Sequence, residues 1–328
     1  MRYFLTGATG FLGGRVTRLL VAEGHEVVAV VRDPAKAGDL AALGVALHRG
    51  DVTEKESMRA AMTGADGVFH IAGWYKIGVR DTTPGVQINV NGTRNVLELM
   101  RELAIPKGVY TSTLAVYSDT HGRLVDESYR YVGPHLSEYD RTKWVAHYEV
   151  AEPMIAAGLP LVIVQPGVIY GPGDTSSIHD LFVNYLRRKL PGVPTRTAYC
   201  WAHVDDIAQG HLRAMAVGAS GQSYNLAGPA ATIVETLALA QRVTGVPAPK
   251  RQLAPGLLRA MARTMGVVGA VVPLPPEYSA EYLRVSAGVT YLGDATKARE
   301  QLDFSPRNLE EGLRETLAYE MRQLGMRG

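Results

Sequence analysis

The apolar positions in the first half of this chain fall in short unbroken runs: Tyr3 to Leu5, Val27 to Val31, Ala46 to His48, Gly67 to Ile71, Gly108 to Thr111 and Leu161 to Gln165. Runs of this length, rich in β-branched residues and lacking a polar face, read as strands of a parallel sheet buried on both sides. Between them lie stretches with helical character, at Arg15 to Ala22, Glu54 to Met62, Gly92 to Leu103 and Glu138 to Ala157. The alternation predicts an α/β fold, a doubly wound parallel sheet with helices on both faces. After Pro166 the rhythm lapses and no regular βα alternation is expected to resume. Gly171-Pro172-Gly173 marks a loop, and Leu181 to Leu190 and Thr232 to Thr244 read as helices. Six prolines between Pro247 and Pro276 surround a helix containing Met and Leu.

The first run opens directly into Thr6-Gly7-Ala8-Thr9-Gly10-Phe11-Leu12-Gly13. A strand that ends in glycines three apart and then starts a helix is built to hold a pyrophosphate. Gly7 permits the tight turn, Gly10 lets backbone approach the phosphates, and Gly13 lets the helix pack closely on the strand. With 35 glycines in 328 residues the pattern by itself is weak. Its place at the first turn of a βαβ unit makes a dinucleotide the expected ligand, held by Gly7, Thr9, Gly10, Phe11, Leu12 and Gly13. The expected division is a Rossmann domain over residues 1–165, with returning segments near 200–227 and 289–296. Residues 166–328 are then mainly a smaller, irregular substrate-binding lobe.

Composition narrows the partners. A net charge of +2 and the lack of a Lys/Arg run leave no basic surface for nucleic acid. The single cysteine, Cys200, cannot form an internal disulfide, and the first strand starts at the N-terminus with no room for a signal peptide, so a cytoplasmic protein is expected. The most lipid-like segment, Gly266 to Leu274, is too short to span a bilayer, and Arg259 and Arg263 interrupt its approach. A soluble protein without a membrane partner is the expectation.

A second chemical signal is Tyr139-Asp140-Arg141-Thr142-Lys143, in a segment of helical character. Residues four apart share a helix face, so phenol and ammonium can point into one site. A tyrosine with a pKa near 10 is a poor acid-base catalyst at neutral pH. A neighbouring Lys⁺, helped by the charge of an oxidised nicotinamide, favours the phenolate. Thr111-Ser112-Thr113, at the end of the fifth strand, supplies hydroxyls where ligands gather in open α/β sheets. Such a hydroxyl can hold a substrate carbonyl while the tyrosine supplies the proton.

With these pieces the chain resembles the extended short-chain dehydrogenase/reductases over nearly its whole length. Besides the glycine turn, the matching motifs are Gly50-Asp51-Val52, His70-Ile71-Ala72-Gly73, Asn89 to Thr93, Thr113 to Tyr117, Tyr139 to Lys143, Gln165 to Pro172 and His203-Val204-Asp205-Asp206. The resemblance implies a catalytic set of Thr113, Tyr139 as acid/base, and Lys143, which also binds nicotinamide ribose, with Asn89 in the relay or the cofactor contacts. It implies cofactor contacts from Asp51 and Val52 to the adenine, from Ala72 and Ser112 along the channel, and from Pro166, Gly167 and Val168. His70 is expected to be a hydrogen-bonded structural residue. The resemblance further implies a homodimer packed through Gly92 to Leu103 and Glu138 to Ala157.

The branch of the family follows from three places. At the end of the second strand, where NAD-binding members usually carry a carboxylate, this chain has Val31 and then Arg32, with Lys36 one turn on. Arg32 suits a 2′-phosphate, which favours NADP (NADPH) over NAD, although Asp33 could act as ribose acceptor after a small shift in alignment. Leu114 and Ala115 stand where sugar-nucleotide dehydratases have an Asp-Glu pair. Tyr199 stands where epimerases commonly have an arginine for the diphosphate, with Arg196 three residues earlier as a substitute. The remaining branch resembles dihydroflavonol and cinnamoyl-CoA reductases, with Trp74, Tyr75, Tyr170, Tyr199, Trp201 and the Met/Leu-rich Leu257 to Met265 as candidate substrate walls. The expected activity is hydride transfer between NADP(H) and a ketone, aldehyde or secondary alcohol of a small, largely apolar substrate. An NAD-dependent nucleotide-sugar epimerase is the alternative, and a non-catalytic dinucleotide sensor the third reading.

Overall fold

The computed structural model describes residues 1–326 of the 328. Strands β1 (Arg2–Thr6), β2 (Glu26–Val31), β3 (Ala46–Arg49), β4 (Gly67–His70), β5 (Gly108–Thr111), β6 (Leu161–Pro166) and β7 (Ser223–Leu226) form one sheet in the order β7-β6-β5-β4-β1-β2-β3. Every neighbouring pair is parallel. The unbroken apolar runs are explained by two cores, one on each face. Tyr3, Leu5, Val27, Ala29 and Val31 point to one face, and Phe4, Val28, Val30, Val68 and Tyr110 to the other. Side chains alternate across a strand, so a run buried on both faces has no polar register to keep.

Helix α1 (Phe11–Ala22) follows β1, and α2 (Glu138–Val145) continues through a wider i→i+5 helical stretch at Ala146–Ala151 into Glu152–Ala156. A similar wide stretch, Gly85–Gly92, precedes the helix Thr93–Glu102, which therefore enters seven residues before the expected start at Gly92. Turns of this kind widen a helix locally and often sit at functional sites. Ser176 caps the helix Ser177–Leu186 through its hydroxyl to the Ile178 amide, so that helix starts and ends about four residues before the predicted Leu181 to Leu190.

The expectation that βα alternation ends at Pro166 is corrected. Helix α3 (Val204–Val217) leads into β7, which extends the sheet at its β6 edge. The strand Ser223-Tyr224-Asn225-Leu226 was illegible because its centre is polar. Asn225 is fully buried, accepts from the Tyr117 hydroxyl and donates to the Asp294 carbonyl, so hydrogen bonds take the place of an apolar run. A smaller sheet links Val168–Tyr170, Ala198–His203, Ala230–Thr232 and Thr290–Tyr291. It packs on a third apolar cluster that includes Tyr170, Phe182, Trp201, Leu237 and Leu313. Helices α4 (Pro255–Val271) and α5 (Ala280–Val285) pack together at the rim through Leu258, Ala262 and Leu283.

Candidate active site

The carboxyl ends of β1 to β6 open into one cavity of about 720 Å³. Strand β1 has β2 on one side and β4 on the other, so the strand order reverses at β1 and the β1/β4 junction is the switch point where parallel sheets bind ligands. Gly7 turns there with φ +77°, and a Cβ on it would lie 2.7 Å from the Ala72 amide nitrogen. A Cβ on Gly13 would run into the Gly7 carbonyl oxygen. Gly10 is the N-cap of α1 and offers no side-chain acceptor, leaving the first-turn amides open to an anion. This backbone cradle, lined by Gly7, Thr9, Gly10, Phe11, Leu12 and Gly13, has the chemistry and space for a pyrophosphate.

The end of the cavity beyond the glycine cradle is lined by Arg32, Asp51 and Val52. Asp51 Oδ1 accepts from the amide and hydroxyl of Thr53. Asp33 does not line the cavity. Its Oδ1 caps the short helix at Pro34–Lys36 by accepting from the Ala35 amide, and its Oδ2 lies 3.5 Å from Lys36 Nζ. The placement of Lys36 in the cofactor set is corrected: its side chain is 85% exposed, pairs with Asp33 and stands outside the cavity. One helical turn beyond Arg32 carries it outward instead of toward the crevice.

At the other end Thr113, Tyr139 and Lys143 line the same cavity, with Ser112, Ala72, Pro166, Gly167 and Val168 along its length. Thr113 follows β5 and caps a short 3₁₀ turn through the Ala115 amide. The Ser137 hydroxyl caps α2 through the Asp140 amide, which sets the helix phase that brings Tyr139 and Lys143 to one face. Lys143 Nζ donates to the Thr111 carbonyl at 2.8 Å and to the Tyr110 hydroxyl at 3.1 Å.

The sequence expectation joins Lys143 to the charge of an oxidised nicotinamide; in the protein alone burial governs both groups. Burial pushes Tyr139 well above the usual tyrosine range, with the Thr113 hydroxyl opposing the shift. Burial also lowers Lys143 to about 7. Desolvation acts on both groups and favours the neutral form of each, so at neutral pH the phenol keeps its proton. His70, lowered to about 3 by burial and by Lys143, bridges Thr6 Oγ1 at 2.8 Å and Thr93 Oγ1 at 3.0 Å.

Two further expected site residues are held by buried hydrogen bonds, Asn89 outside the cavity and Ser112 along it. Asn89 does not line the cavity: it is 1% exposed, with Oδ1 accepting from the Trp74 amide and Nδ2 donating to the Trp74 carbonyl and Thr142 Oγ1. It ties the Trp74 backbone to α2 and so acts as a positioning residue. Ser112 Oγ lies 2.8 Å from His147 Nδ1 in a buried pair.

Of the substrate candidates, Trp74, Tyr75 and Tyr199 line the cavity, and the Tyr75 ring meets Tyr139 edge-on at 4.7 Å. Tyr170 and Trp201 are corrected: both are 1% exposed and belong to the lobe core. Trp201 shares a strand face with Tyr199, yet it is covered by Tyr170 and Phe182, and its Nε1 donates to the Ala231 carbonyl. Sequence reasoning missed four further lining residues: Ile178, Val285 and Tyr291 from distant segments, and Asp140 beside Tyr139. Asp140 accepts from the Ser137 and Tyr291 hydroxyls, and burial raises its carboxyl to about 7. Its place inside the Tyr139 to Lys143 motif was the available signal.

Comparison with known proteins agrees with this geometry. Residues 3–227 match the NAD dependent epimerase/dehydratase family. A Synechocystis sp. protein named for dihydroflavonol 4-reductase is 30% identical over 325 residues, 97% of this chain and 94% of that one. The crystal structure of gox2253 superposes with a TM-score of 0.85 at 27% identity, covering 99% of both chains. A UDP-glucuronic acid 4-epimerase from Bacillus cereus, solved with NAD, shares the fold with a TM-score of 0.78 at 21% identity, covering 99% of this chain and 100% of that one. With a Rossmann sheet, a glycine cradle at its switch point and a match across two thirds of its length, the chain belongs to the NAD-dependent epimerase/dehydratase family of extended short-chain dehydrogenase/reductases.

Proposed function

We propose that the protein is an NADP(H)-dependent carbonyl reductase acting on a small, largely apolar ketone or aldehyde, reversible as an alcohol dehydrogenase. The observation that carries this reading is the convergence of Thr113, Tyr139 and Lys143 with the glycine cradle on one cavity. When bound, the nicotinamide supplies or accepts the hydride. The Thr113 and Tyr139 hydroxyls hold the carbonyl oxygen, and Tyr139, kept protonated by burial, donates its proton to that oxygen. Lys143, fixed through Thr111 and Tyr110, stands where an ammonium offsets the phenolate that remains.

Arg32 supports NADP. It lines the cavity with no ion-pair partner among the described residues, while the competing carboxylate of Asp33 is spent on a cap. Apolar and aromatic walls support the substrate class: Tyr75, Ile77, Ile178, Tyr199 and Val285 surround the catalytic end. The nucleotide-sugar alternative needs a cation for the diphosphate, and Arg196, its candidate, is exposed and outside the cavity lining. We assign dinucleotide binding to residues 1–165 with the returning segments, and substrate shaping mainly to residues 166–328. Cytoplasmic residence fits Cys200, a buried thiol raised to about 11. A homodimer through the segments Gly92 to Leu103 and Glu138 to Ala157 is the assembly we propose, and sedimentation as a monomer at micromolar concentration would remove it.

Thermal shift with each cofactor and a Tyr139→Phe variant test the reading. NADPH should raise the unfolding temperature more than NADH at equal concentration. Tyr139→Phe should keep the NADPH shift and lose roughly a hundredfold or more in turnover of a confirmed carbonyl substrate. A larger NADH shift, or retained turnover, refutes the corresponding half.

A further inference from the structure

Helix α4 is apolar on two faces, and only one is covered. Leu258 and Ala262 pack inward against Leu283 of α5. Ala260, Thr264, Val267 and Val271 recur at helical spacing on the opposite side, where Val267 is 74% and Val271 82% exposed. Past the helix Val272 is 50% exposed, and Tyr278, beside the exposed Glu277, 52%. A monomeric soluble protein rarely leaves such a contiguous patch bare.

Charge indicates what covers it. Between Glu235 and Glu277 the chain contains no carboxylate, yet it carries Lys250, Arg251, Arg259 and Arg263, besides Arg242, which pairs with Glu310. Arg259 and Arg263 are exposed on the flank of the apolar face, without an ion pair among the described residues. Nearby Glu281 is engaged, accepting from the Gly78 and Glu138 amides. A two-fold contact between copies through this face would bring like arginines together with no carboxylate on the helix to offset them. An apolar strip edged by unpaired arginines is complementary to an anionic bilayer surface, with side chains in the acyl boundary and guanidinium groups among the headgroups.

We propose that α4 and the segment to Tyr278 form a peripheral docking face for anionic lipid membranes. This revises the sequence expectation of no membrane partner: the segment is too short to span, and no helix among the described residues is long and apolar enough to do so, but lying on a surface needs only one exposed face. On its covered side α4 connects to segments that line the cavity. Arg80 donates to the Gly269 carbonyl of α4, Val285 of the adjoining α5 lines the cavity, and Tyr75 to Ile77 line it from the strap that Arg80 anchors. Docking itself does not depend on which reaction the site performs.

The full chain is sedimented with vesicles of phosphatidylcholine alone and with vesicles containing about one third phosphatidylglycerol. Binding is expected on the anionic vesicles, with at least about a tenfold weaker partition on the neutral ones. The doubly substituted Val267→Ser/Val271→Ser chain, and separately Arg259→Gln/Arg263→Gln, should each lose about tenfold in partition with an unchanged unfolding temperature, since all four positions are exposed. Failure of the wild type to bind anionic vesicles, equal binding by the serine variant, or equal binding to neutral vesicles overturns the proposal. A dimer in solution that the serine variant dissociates would assign the face to a second copy and overturn it as well.

Discussion

Lys143 should weaken the fold it serves, and the cost can be read as a function of pH. The group is 4% exposed and its pKa falls from 10.5 to about 7 through burial alone. A shift of that size corresponds to about 5 kcal/mol at 1.36 kcal/mol per unit, present wherever the unfolded lysine is charged and the folded one must be charged too. The folded pKa is depressed, so between 7 and 10.5 the unfolded chain binds more protons and stability rises with pH. The penalty is full below about pH 7 and gone above about pH 10.5. In Lys143→Met the penalty is absent, while the hydrogen bonds to Thr111 and Tyr110 are lost at a cost that does not depend on pH in this range. The slope is therefore the test. Urea unfolding of both proteins without cofactor should show the stability of wild type relative to Lys143→Met rising by about 3 kcal/mol between about pH 6.5 and pH 9.5. A difference that stays constant across that range would refute the claim that Lys143 is desolvated in the folded state.

Two other substitutions address the cofactor cradle. Arg32→Gln should weaken NADPH roughly ten- to a hundredfold while leaving NADH nearly unchanged, because only the 2′-phosphate demands a charge-assisted bond; titration calorimetry with both cofactors reads it. Gly13→Ala should destabilise the protein by about 1–3 kcal/mol in urea unfolding and abolish the dinucleotide thermal shift, since the new Cβ meets the Gly7 backbone and must displace the start of α1.

Much of the site was legible because local rules govern it. The glycine spacing reports a backbone turn, and the Tyr139 to Lys143 interval reports a helix face. Positions that failed did so for tertiary reasons. Lys36 was placed near Arg32 by sequence distance, but a cap formed by Asp33 turned the chain away. Asn89 was read as part of the chemistry, and its amide is used up bonding the Trp74 backbone. Tyr170 and Trp201 carry the same aromatic signal as Tyr75 and Tyr199, and only packing separates core from cavity wall.

The sequence by itself determined the βαβ frame, the dinucleotide cradle and the spacing of the Tyr139 and Lys143 pair, since these depend on residue conformation and on contacts within a few positions. Tertiary structure alone decided the protonation of that pair, through burial on all sides, and the makeup of the catalytic end, where Tyr75, Ile178, Val285 and Tyr291 meet from distant segments. It also decided that half of α4 stays uncovered. Desolvation and exposure are sums over everything that packs nearby, and no local pattern in the chain contains them.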